Sequence, residues 1–371
     1  MVSRRSSLLV LALAGALAGL PASPAQAALA GPEALSVESG DTALDGWGGW
    51  LVWSRRDAGG TFTLVARAPD GTGLALPAPA QRRPYDARIG PGPDGRPLVV
   101  YSRCAAPAAQ PPTGCDVWRI DPQSGETRVV AAASRPDVDE RLPTVWGTRI
   151  AFARQERGSR ARRVGIAIAA LDGPAPRRAV VHGPRNERRG RRPVRARSYG
   201  PVGLDLVGRR LAYTWEVRRR SGTVGSLRTA LLTGSTRAPA VRSAQGLFEL
   251  PAARGSVSAL GSPALGGGQS TGLQVLAPVI RTGGGGRSTI VRTTIGGSRA
   301  WKLESGFTAG QTERYGSALS AVAWLDDARI ATVRRLASDG RYGCRSAAAP
   351  GTEGCEVLAL RLRAQPWRAL R

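Results

Sequence analysis

Short apolar segments alternate with turn residues along most of the chain, and after residue 27 no segment of useful length has the period of an amphipathic helix. One pattern recurs five times: a short strand, a turn bearing Gly or Asp, and a second strand with an apolar centre, usually of Ala, Val and an aromatic residue. The copies start near residues 46, 87, 142, 201 and 319. Such a recurrence predicts a repeat fold of β-strands, because each unit buries its apolar face against its neighbours.

A second pair of strands follows each copy. In the first unit, apolar residues 64–66 lead through the turn Asp70-Gly71 to residues 74–76, and residues 255–303 form a less regular, degenerate fifth unit. Four antiparallel strands per unit make a propeller blade. The sequence therefore predicts an all-β, six-bladed β-propeller over residues 44–371. The approximate blades are 44–80, 81–132, 133–183, 198–244, 253–304 and 313–371. The alternative is a set of β-sandwich domains, which needs no such recurrence.

The first residues have the pattern of a signal peptide. Arginines at positions 4 and 5 precede an apolar run over residues 8–20, and Ala25-Gln26-Ala27 offers a cleavage site. We expect residues 1–27 to be removed and residues 28–43 to form an N-terminal extension. No later segment approaches the ~20 continuous apolar residues that a bilayer span needs. The sequence thus predicts a mature chain without a transmembrane segment, secreted or held in the cell envelope; the general and twin-arginine export routes both stay open.

Arginine dominates the charge of the protein. Lys and Arg number 53 against 27 Asp and Glu, a formal net charge of +26, and loss of the two signal-peptide arginines leaves +24. The densest cluster is a predicted basic loop at 184–197, which contains Arg185, Arg188, Arg189, Arg191, Arg192, Arg195 and Arg197. Two interpretations stay open: a plain solvated loop, or an anion-binding loop for a cell-wall polymer or membrane head groups. Without interleaved aromatic residues, and with export expected, no natural nucleic-acid partner is predicted.

The four cysteines form two similar pairs. Cys104 with Cys115 and Cys344 with Cys355 both have ten residues between them, and each pair lies between two strand-like segments. An even count in an exported chain predicts disulfides, each closing the base of a loop. Structural zinc sites usually have closer cysteines and often histidine, and His182 is the only histidine here. We therefore predict no metal or cofactor.

Candidate catalytic residues are scarce. His182 has no Gly-x-Ser-x-Gly nucleophile motif to pair with. Residues 57–62 match part of the Asp box of sialidase propellers, which is a structural hairpin element even in those enzymes. Residues 137–140 carry three carboxylates, but no glycine-turn calcium loop surrounds them, and we interpret them as a solvated connection between blades. The tryptophans at strand positions predict core packing, so the sequence assigns no catalytic residue.

The units at 144–152 and 203–213, each followed by an apolar-x-apolar strand and a Gly-containing turn, resemble the blades of TolB-type, WD40-like exported β-propellers. The resemblance covers most of the mature chain and concerns the fold, since it includes no catalytic motif. Because the repeats carry no catalytic constellation, we expect an exported, non-enzymatic module that binds or scaffolds a protein or an anionic partner at the cell surface. The alternative is an extracellular glycan-active hydrolase or lyase whose carboxylates meet at the propeller channel.

Overall fold

The structure of the protein is a computed structural model. It describes residues 33–39, 42–106, 113–156, 164–176, 178–182, 187–189, 192–194, 197–219, 222–235, 238–250, 257–267, 272–282, 289–297, 299–303, 318–335, 355–362 and 367–370. The described chain is nearly all β, and its main antiparallel sheets form six blades in a ring. This confirms the predicted six-bladed β-propeller and excludes the β-sandwich alternative.

The first strand, β1 (Glu33–Glu38), precedes blade one. Blade one contains β2 (Leu44–Trp47), β3 (Trp50–Arg56), β4 (Phe62–Arg67) and β5 (Gly73–Ala75). Blade two contains β6 (Arg88–Pro91), β7 (Pro97–Ala106), β8 (Thr113–Ile120) and β9 (Thr127–Val129), and the short 3-10 helix Ala131–Ala133 follows it. Blade three contains β10 (Val138–Trp146), β11 (Arg149–Glu156), β12 (Val164–Ala170) and β13 (Val181–His182).

A small hairpin of β14 (Glu187–Arg189) and β15 (Arg192–Val194) precedes blade four. Blade four contains β16 (Arg197–Val207), β17 (Arg210–Arg219), β18 (Gly222–Thr233) and β19 (Ala240–Glu249). Blade five contains β20 (Val257–Leu260), β21 (Ala264–Gly266), β22 (Gln274–Thr282), β23 (Thr289–Thr294) and β24 (Ala300–Leu303). The last strands are β25 (Ala318–Trp324), β26 (Arg329–Arg335), β27 (Cys355–Arg361) and β28 (Trp367–Ala369).

Apolar side chains fill the space on both sides of each blade. Within β3, Trp50 and Val52 pack with blade two, whereas Leu51 and Trp53 pack with blade six. Successive residues of a strand point to opposite faces of its sheet, so burial on both faces requires a continuous apolar run. The innermost strands β2, β6, β10, β16, β21 and β25 contact one another in this order, and β25 returns to β2, which closes the ring around a central channel.

The ring is closed by a strand that the sequence analysis placed in an N-terminal extension. Strand β1, within residues 28–43, pairs antiparallel with β27 and is the outermost strand of blade six. The side chain of Glu38 ties this strand to blade one, because its Oε1 accepts a 2.7 Å hydrogen bond from Trp53 Nε1 and lies 3.2 Å from Arg55 Nη2. The unpaired edge of β27 explains the difference, since an exposed edge needs a partner strand.

The C-terminal strand also differs from its expected place. Residues 367–370 fall within the predicted last blade, 313–371, but β28 pairs with β24 at the outer edge of blade five. Because β1 already occupies the outer edge of β27, β28 cannot pair there, whereas the outer edge of β24 is free to accept it. The β1–β27 and β24–β28 pairings thus connect the chain termini to different blades.

The disulfide Cys104–Cys115 is present and joins paired residues of β7 and β8 at the base of the connection between these strands. Cys355 is buried and disulfide-bonded, while Cys344 lies outside the described residues.

The predicted signal peptide at 1–27 also lies outside the described residues. In the part of the chain that the structure describes, no helix is long and apolar enough to cross a membrane.

We predict that Glu38→Ala lowers the free energy of unfolding by about 2 kcal/mol, because it leaves the buried Trp53 indole N–H without its acceptor. Urea unfolding followed by tryptophan fluorescence measures this. Glu33→Ala is the matched control, since Glu33 is an exposed glutamate of the same strand and its loss changes stability by less than about 0.5 kcal/mol. Equal effects of the two substitutions would contradict the role of Glu38 in closing the ring.

Candidate functional site

Four blades place a polar side chain at the same position of their innermost strand. Asp45, Thr144 and Asp205 lie two residues before the last residue pair of the first hairpin of their blade, and Arg88 lies three residues before it. Their opposite residues on the second strand are Val52, Val100, Ala151 and Ala212, which are all buried. The equivalent positions bring these polar groups together around the channel.

Arg88 and Asp45 form a buried ion pair across the channel. Arg88 Nη1 lies 2.7 Å from Asp45 Oδ1, and its Nη2 donates a 3.1 Å hydrogen bond to the carbonyl oxygen of Pro263 in blade five. The second oxygen of Asp45 accepts the Ile89 backbone N–H at 2.8 Å. One guanidinium therefore links blades one, two and five, and both oxygens of Asp45 are engaged.

Asp205 adds a second carboxylate to this cluster. Its Oδ1 accepts the Leu206 backbone N–H at 2.8 Å, with Thr144 Oγ1 at 3.5 Å, and its Oδ2 accepts the backbone N–H of Leu265 from blade five. Burial, together with the charge of Asp45, raises the pKa of Asp205 to about 7, while the charge of Arg88 opposes the shift. Burial likewise raises the pKa of Asp45. Burial works against the charge of Arg88, but the nearby carboxylates hold its pKa above the usual value. The two carboxylates and one guanidinium of the cluster therefore carry one excess negative charge, and a proton on Asp205 partly neutralises this charge near pH 7.

A cavity of about 490 Å³ opens at the end of the channel where the innermost strands finish. We call it the acidic cavity. Glycine and aliphatic residues make up most of its wall, and its aromatic and charged lining residues are Trp47, Trp146, Trp324, Asp205, Asp326 and Asp327. Asp326 is paired with Arg329 at 2.7 Å, whereas Asp327 is exposed at the rim. Its walls thus combine indole rings with carboxylates from several blades.

A second cavity, of about 390 Å³, lies at the other end of the innermost strands, near where they begin. We call it the arginine cavity. Its polar lining includes Gln81, Arg83, Asp86, Ser102 and Arg141, and the disulfide residue Cys104 borders it. The carboxylate of Asp86 is engaged in hydrogen bonds within the protein: it accepts the backbone N–H of Ser102 at 2.8 Å and that of Leu142 at 2.6 Å. Arg83 and Arg141 are both partly exposed.

The structure describes some of the sequence-predicted site residues, and others lie outside the described residues. In the basic loop, Arg188, Arg189, Arg192 and Arg197 lie on described strands, whereas Arg185, Arg191 and Arg195 lie outside the described residues. His182 ends the outer strand β13. In the Asp-box match, Asp57 accepts the Thr61 backbone N–H at 2.8 Å and closes the β3–β4 hairpin. Within the described ranges, no group of three or more His, Cys, Asp or Glu residues could hold a metal ion.

The interpretation of residues 137–140 as a solvated connection is wrong for two of its carboxylates. Asp139 and Glu140 belong to β10 and are buried, with exposed fractions of 3% and 1%. Asp139 Oδ1 accepts the Gly114 backbone N–H at 2.7 Å, so it fastens blade three to blade two. Burial raises the pKa of Glu140 to about 7. Only Asp137 stays at the surface, where it pairs with Arg135 at 2.6 Å.

Sequence reasoning missed the channel cluster and the acidic cavity. A signal was present, because Asp45, Arg88 and Asp205 are charged residues of innermost strands, each opposite a buried apolar residue of the second strand. The tryptophans were assigned to the core, and Trp50, Trp53, Trp215 and Trp324 are indeed buried. Trp146 is only partly buried and lines the acidic cavity, which the apolar pattern alone does not distinguish.

No protein-family model matches the sequence, and a comparison with curated proteins finds no match. Among solved structures, the chain is similar to TolB from Acinetobacter baumannii, with 12% identity, a TM-score of 0.42, and coverage of 86% of this chain and 65% of TolB. It is similar to a mutant of AofleA from Arthrobotrys oligospora, with 12% identity, a TM-score of 0.47, and coverage of 89% and 91%. It is also similar to an ulvan lyase of polysaccharide lyase family PL25, with 9% identity, a TM-score of 0.43, and coverage of 92% and 93%. TolB is thus among the similar structures, in line with the resemblance of the blade repeats, and likeness at this level concerns the fold alone.

We predict that Arg88→Met destabilises the protein by about 3–5 kcal/mol, because it leaves Asp45 buried without its counter-ion. Arg119→Met is the matched control: Arg119 is also on a strand, but its partner Asp172 is exposed, so the expected loss is below about 1 kcal/mol. Urea unfolding of both variants measures the difference. If Arg88→Met costs no more than Arg119→Met, the cluster does not hold the blades together.

We predict that stability falls as the pH rises from about 4 to about 7. Asp205 and Glu140 have raised pKa values of about 7 in the folded chain, so over this window the folded state binds more protons than the unfolded state. Each group contributes a slope of at most ~1.4 kcal/mol per pH unit. Asp205→Asn and Glu140→Gln should each flatten the profile measured by urea unfolding at several pH values. Profiles identical to that of the unsubstituted protein would contradict this assignment.

Proposed function

We propose that the protein is an exported, non-enzymatic β-propeller module that binds an anionic polymer of the cell envelope. The partner docks on the face where the innermost strands begin, at the arginine cavity and the adjoining basic loop. Export is supported by the signal-peptide pattern of residues 1–27 and by the Cys104–Cys115 disulfide, since disulfides persist in oxidising compartments.

The observation that carries the proposal is the difference between the acidic groups of the channel and the basic groups at the arginine cavity. The described channel carboxylates, Asp45, Asp86 and Asp205, are all bound to backbone N–H groups of their own or a neighbouring blade. Arg83 and Arg141 border an open cavity and are partly exposed, and Arg141 Nη2 donates a 3.3 Å hydrogen bond to Gln155 Oε1. With a net charge of +24 on the mature chain, an anionic partner meets a favourable field as it approaches this face.

The position of the basic loop along the chain also supports docking of the polymer on the face with the arginine cavity. The loop leads directly into β16, which begins at Arg197, and Pro201 and Val202 of this strand line the arginine cavity. Four residues of extended strand span only ~13 Å. The last arginine of the loop therefore connects within a short distance to the cavity, so one extended polymer can reach both.

The enzymatic alternative has one observation in its favour, the raised pKa of Asp205 in the channel. A glycosidase needs a pair of carboxylates on either side of a bond in the substrate. Asp45 and Asp205 meet in the channel, but each has both oxygens engaged, by Arg88 and Ile89 in the first case and by Leu206 and Leu265 in the second. This geometry supports a structural role for the pair rather than acid–base catalysis.

We predict that the mature protein binds polyphosphate or polygalacturonate, two model polyanions, with an affinity that falls as salt rises from about 50 to 500 mM. Replacing both Arg83 and Arg141 with Gln should weaken binding about tenfold at low salt, from roughly 0.7 kcal/mol for each exposed charge contact. Titration calorimetry across the salt series measures affinity. The loop variant, tested in parallel, replaces Arg185, Arg188, Arg189, Arg191, Arg192, Arg195 and Arg197 with Gln.

The control for lost charge replaces Arg128 and Arg242 with Gln, because these arginines lie on the outer strands of blades two and four. Binding that weakens equally in the control reflects net charge and contradicts a dedicated face. Binding that is absent, or unchanged in both the cavity and the loop variants, contradicts the proposal as a whole.

A further inference from the structure

The acidic cavity differs in charge from the rest of the molecule. None of its lining residues is a lysine or arginine, although the mature chain carries a net charge of +24. Its lining includes the carboxylates of Asp205, Asp326 and Asp327. It lies at the end of the channel opposite to the arginine cavity, so the proposed polyanion face does not account for it. A local reversal of charge at a preformed concave site indicates a ligand of its own.

We propose that the acidic cavity binds an organic cation, an ammonium or guanidinium group, against its tryptophan rings. The proposal is independent of polyanion binding at the opposite face. The cation belongs either to a small amine or to a basic side chain of a peptide, and both present the same group to the site.

Three indole rings from three blades provide the aromatic surface. Trp324 is fixed, because its Nε1 donates a 3.3 Å hydrogen bond to the Ala264 carbonyl oxygen and its ring lies against Gly266, where a Cβ atom would meet the ring at 2.5 Å. Trp47 and Trp146 each pack one part of their side chain on the apolar core and are partly exposed. Cations bind to the faces of such rings, and tryptophan is the most favourable of the aromatic residues.

Negative charge at the site comes from two places. At the rim, Asp327 is exposed, whereas the charge of the neighbouring Asp326 is balanced by Arg329. In the wall, the half-buried Asp205 shares the single guanidinium of Arg88 with the buried Asp45, which leaves one excess negative charge. Exposed arginines more than a Debye length of ~8 Å away are largely screened, while the charge of this partly buried cluster is screened much less. The local field therefore favours a cation in spite of the net charge.

The chemistry of the wall separates this ligand from other occupants. An anion would have to enter beside carboxylates without any basic lining residue. A neutral ligand of the same shape would use the apolar wall but gain nothing from the charge. Comparison of a cation with its neutral isostere therefore tests the proposal directly.

The experiment measures binding of choline and of its neutral isostere 3,3-dimethylbutan-1-ol to the mature protein by calorimetry and tryptophan fluorescence. Choline should bind at least tenfold more tightly than the isostere. Trp146→Leu should weaken choline binding about tenfold, and Asp327→Asn about threefold. The matched controls are Trp118→Leu, a partly buried tryptophan outside the cavity, and Asp70→Asn, an exposed turn aspartate; both should bind like the unsubstituted protein.

The pH dependence and the source of the cation are tested in the same assay. Choline binding should weaken as the pH falls from 8 to 6, because a proton on Asp205 cancels the excess negative charge of the cluster. The charged groups that act on Asp205 are Asp45 on β2 and Arg88 on β6. Agmatine and a short peptide with one central arginine then compare a free amine with a peptide side chain. Equal affinity for choline and its isostere, no binding of any cationic probe, or Trp146→Leu behaving like Trp118→Leu would each overturn the proposal.

Discussion

Closure of the ring is the constraint on which the rest of the structure depends. Once β1 is paired with β27 and Glu38 is bound to Trp53, six innermost strands surround one axis. The side chains at one position of the repeat then meet in the channel, where they are shielded from water. A charge in that place is tolerated only if a counter-ion and hydrogen bonds satisfy it. Arg88 meets this requirement for Asp45, and backbone N–H groups of neighbouring blades satisfy the remaining oxygens.

The same device recurs between the other blades. Asp86 accepts a backbone N–H from blade three, Asp139 accepts one from blade two, and Asp205 accepts one from blade five. Each carboxylate joins two sheets that share no strand ladder, because the edges of neighbouring blades are not paired with each other. Apolar contacts hold the blades face to face without direction, and the carboxylates fix how each blade is positioned against the next.

The sequence predicted the β-propeller because the strand pattern is local and repeats, so each hairpin could be recognised from its own residues. It did not predict the partners of β1 and β28, because edge pairing depends on which blade is left incomplete when the ring closes. The site was harder still. Asp45, Arg88 and Asp205 are separated by up to 160 residues and acquire a common environment only through the ring. Their regular position in the repeat was visible, but the apolar periodicity draws attention to the residues around them rather than to them.

The structural cluster and the acidic cavity are physically connected. Asp45 and Asp205 share one guanidinium, which leaves one negative charge without a counter-ion. With its pKa raised to about 7, Asp205 takes up a proton as the pH falls below neutral, and this proton compensates for the charge. A cation in the cavity above would compensate for the same charge without protonation. Asp205, which joins blade four to blade five, therefore also sets the electrostatic character of one channel mouth, while the opposite mouth keeps the positive sign of the chain as a whole. The ligands that we propose for the two ends of one channel therefore have opposite charge.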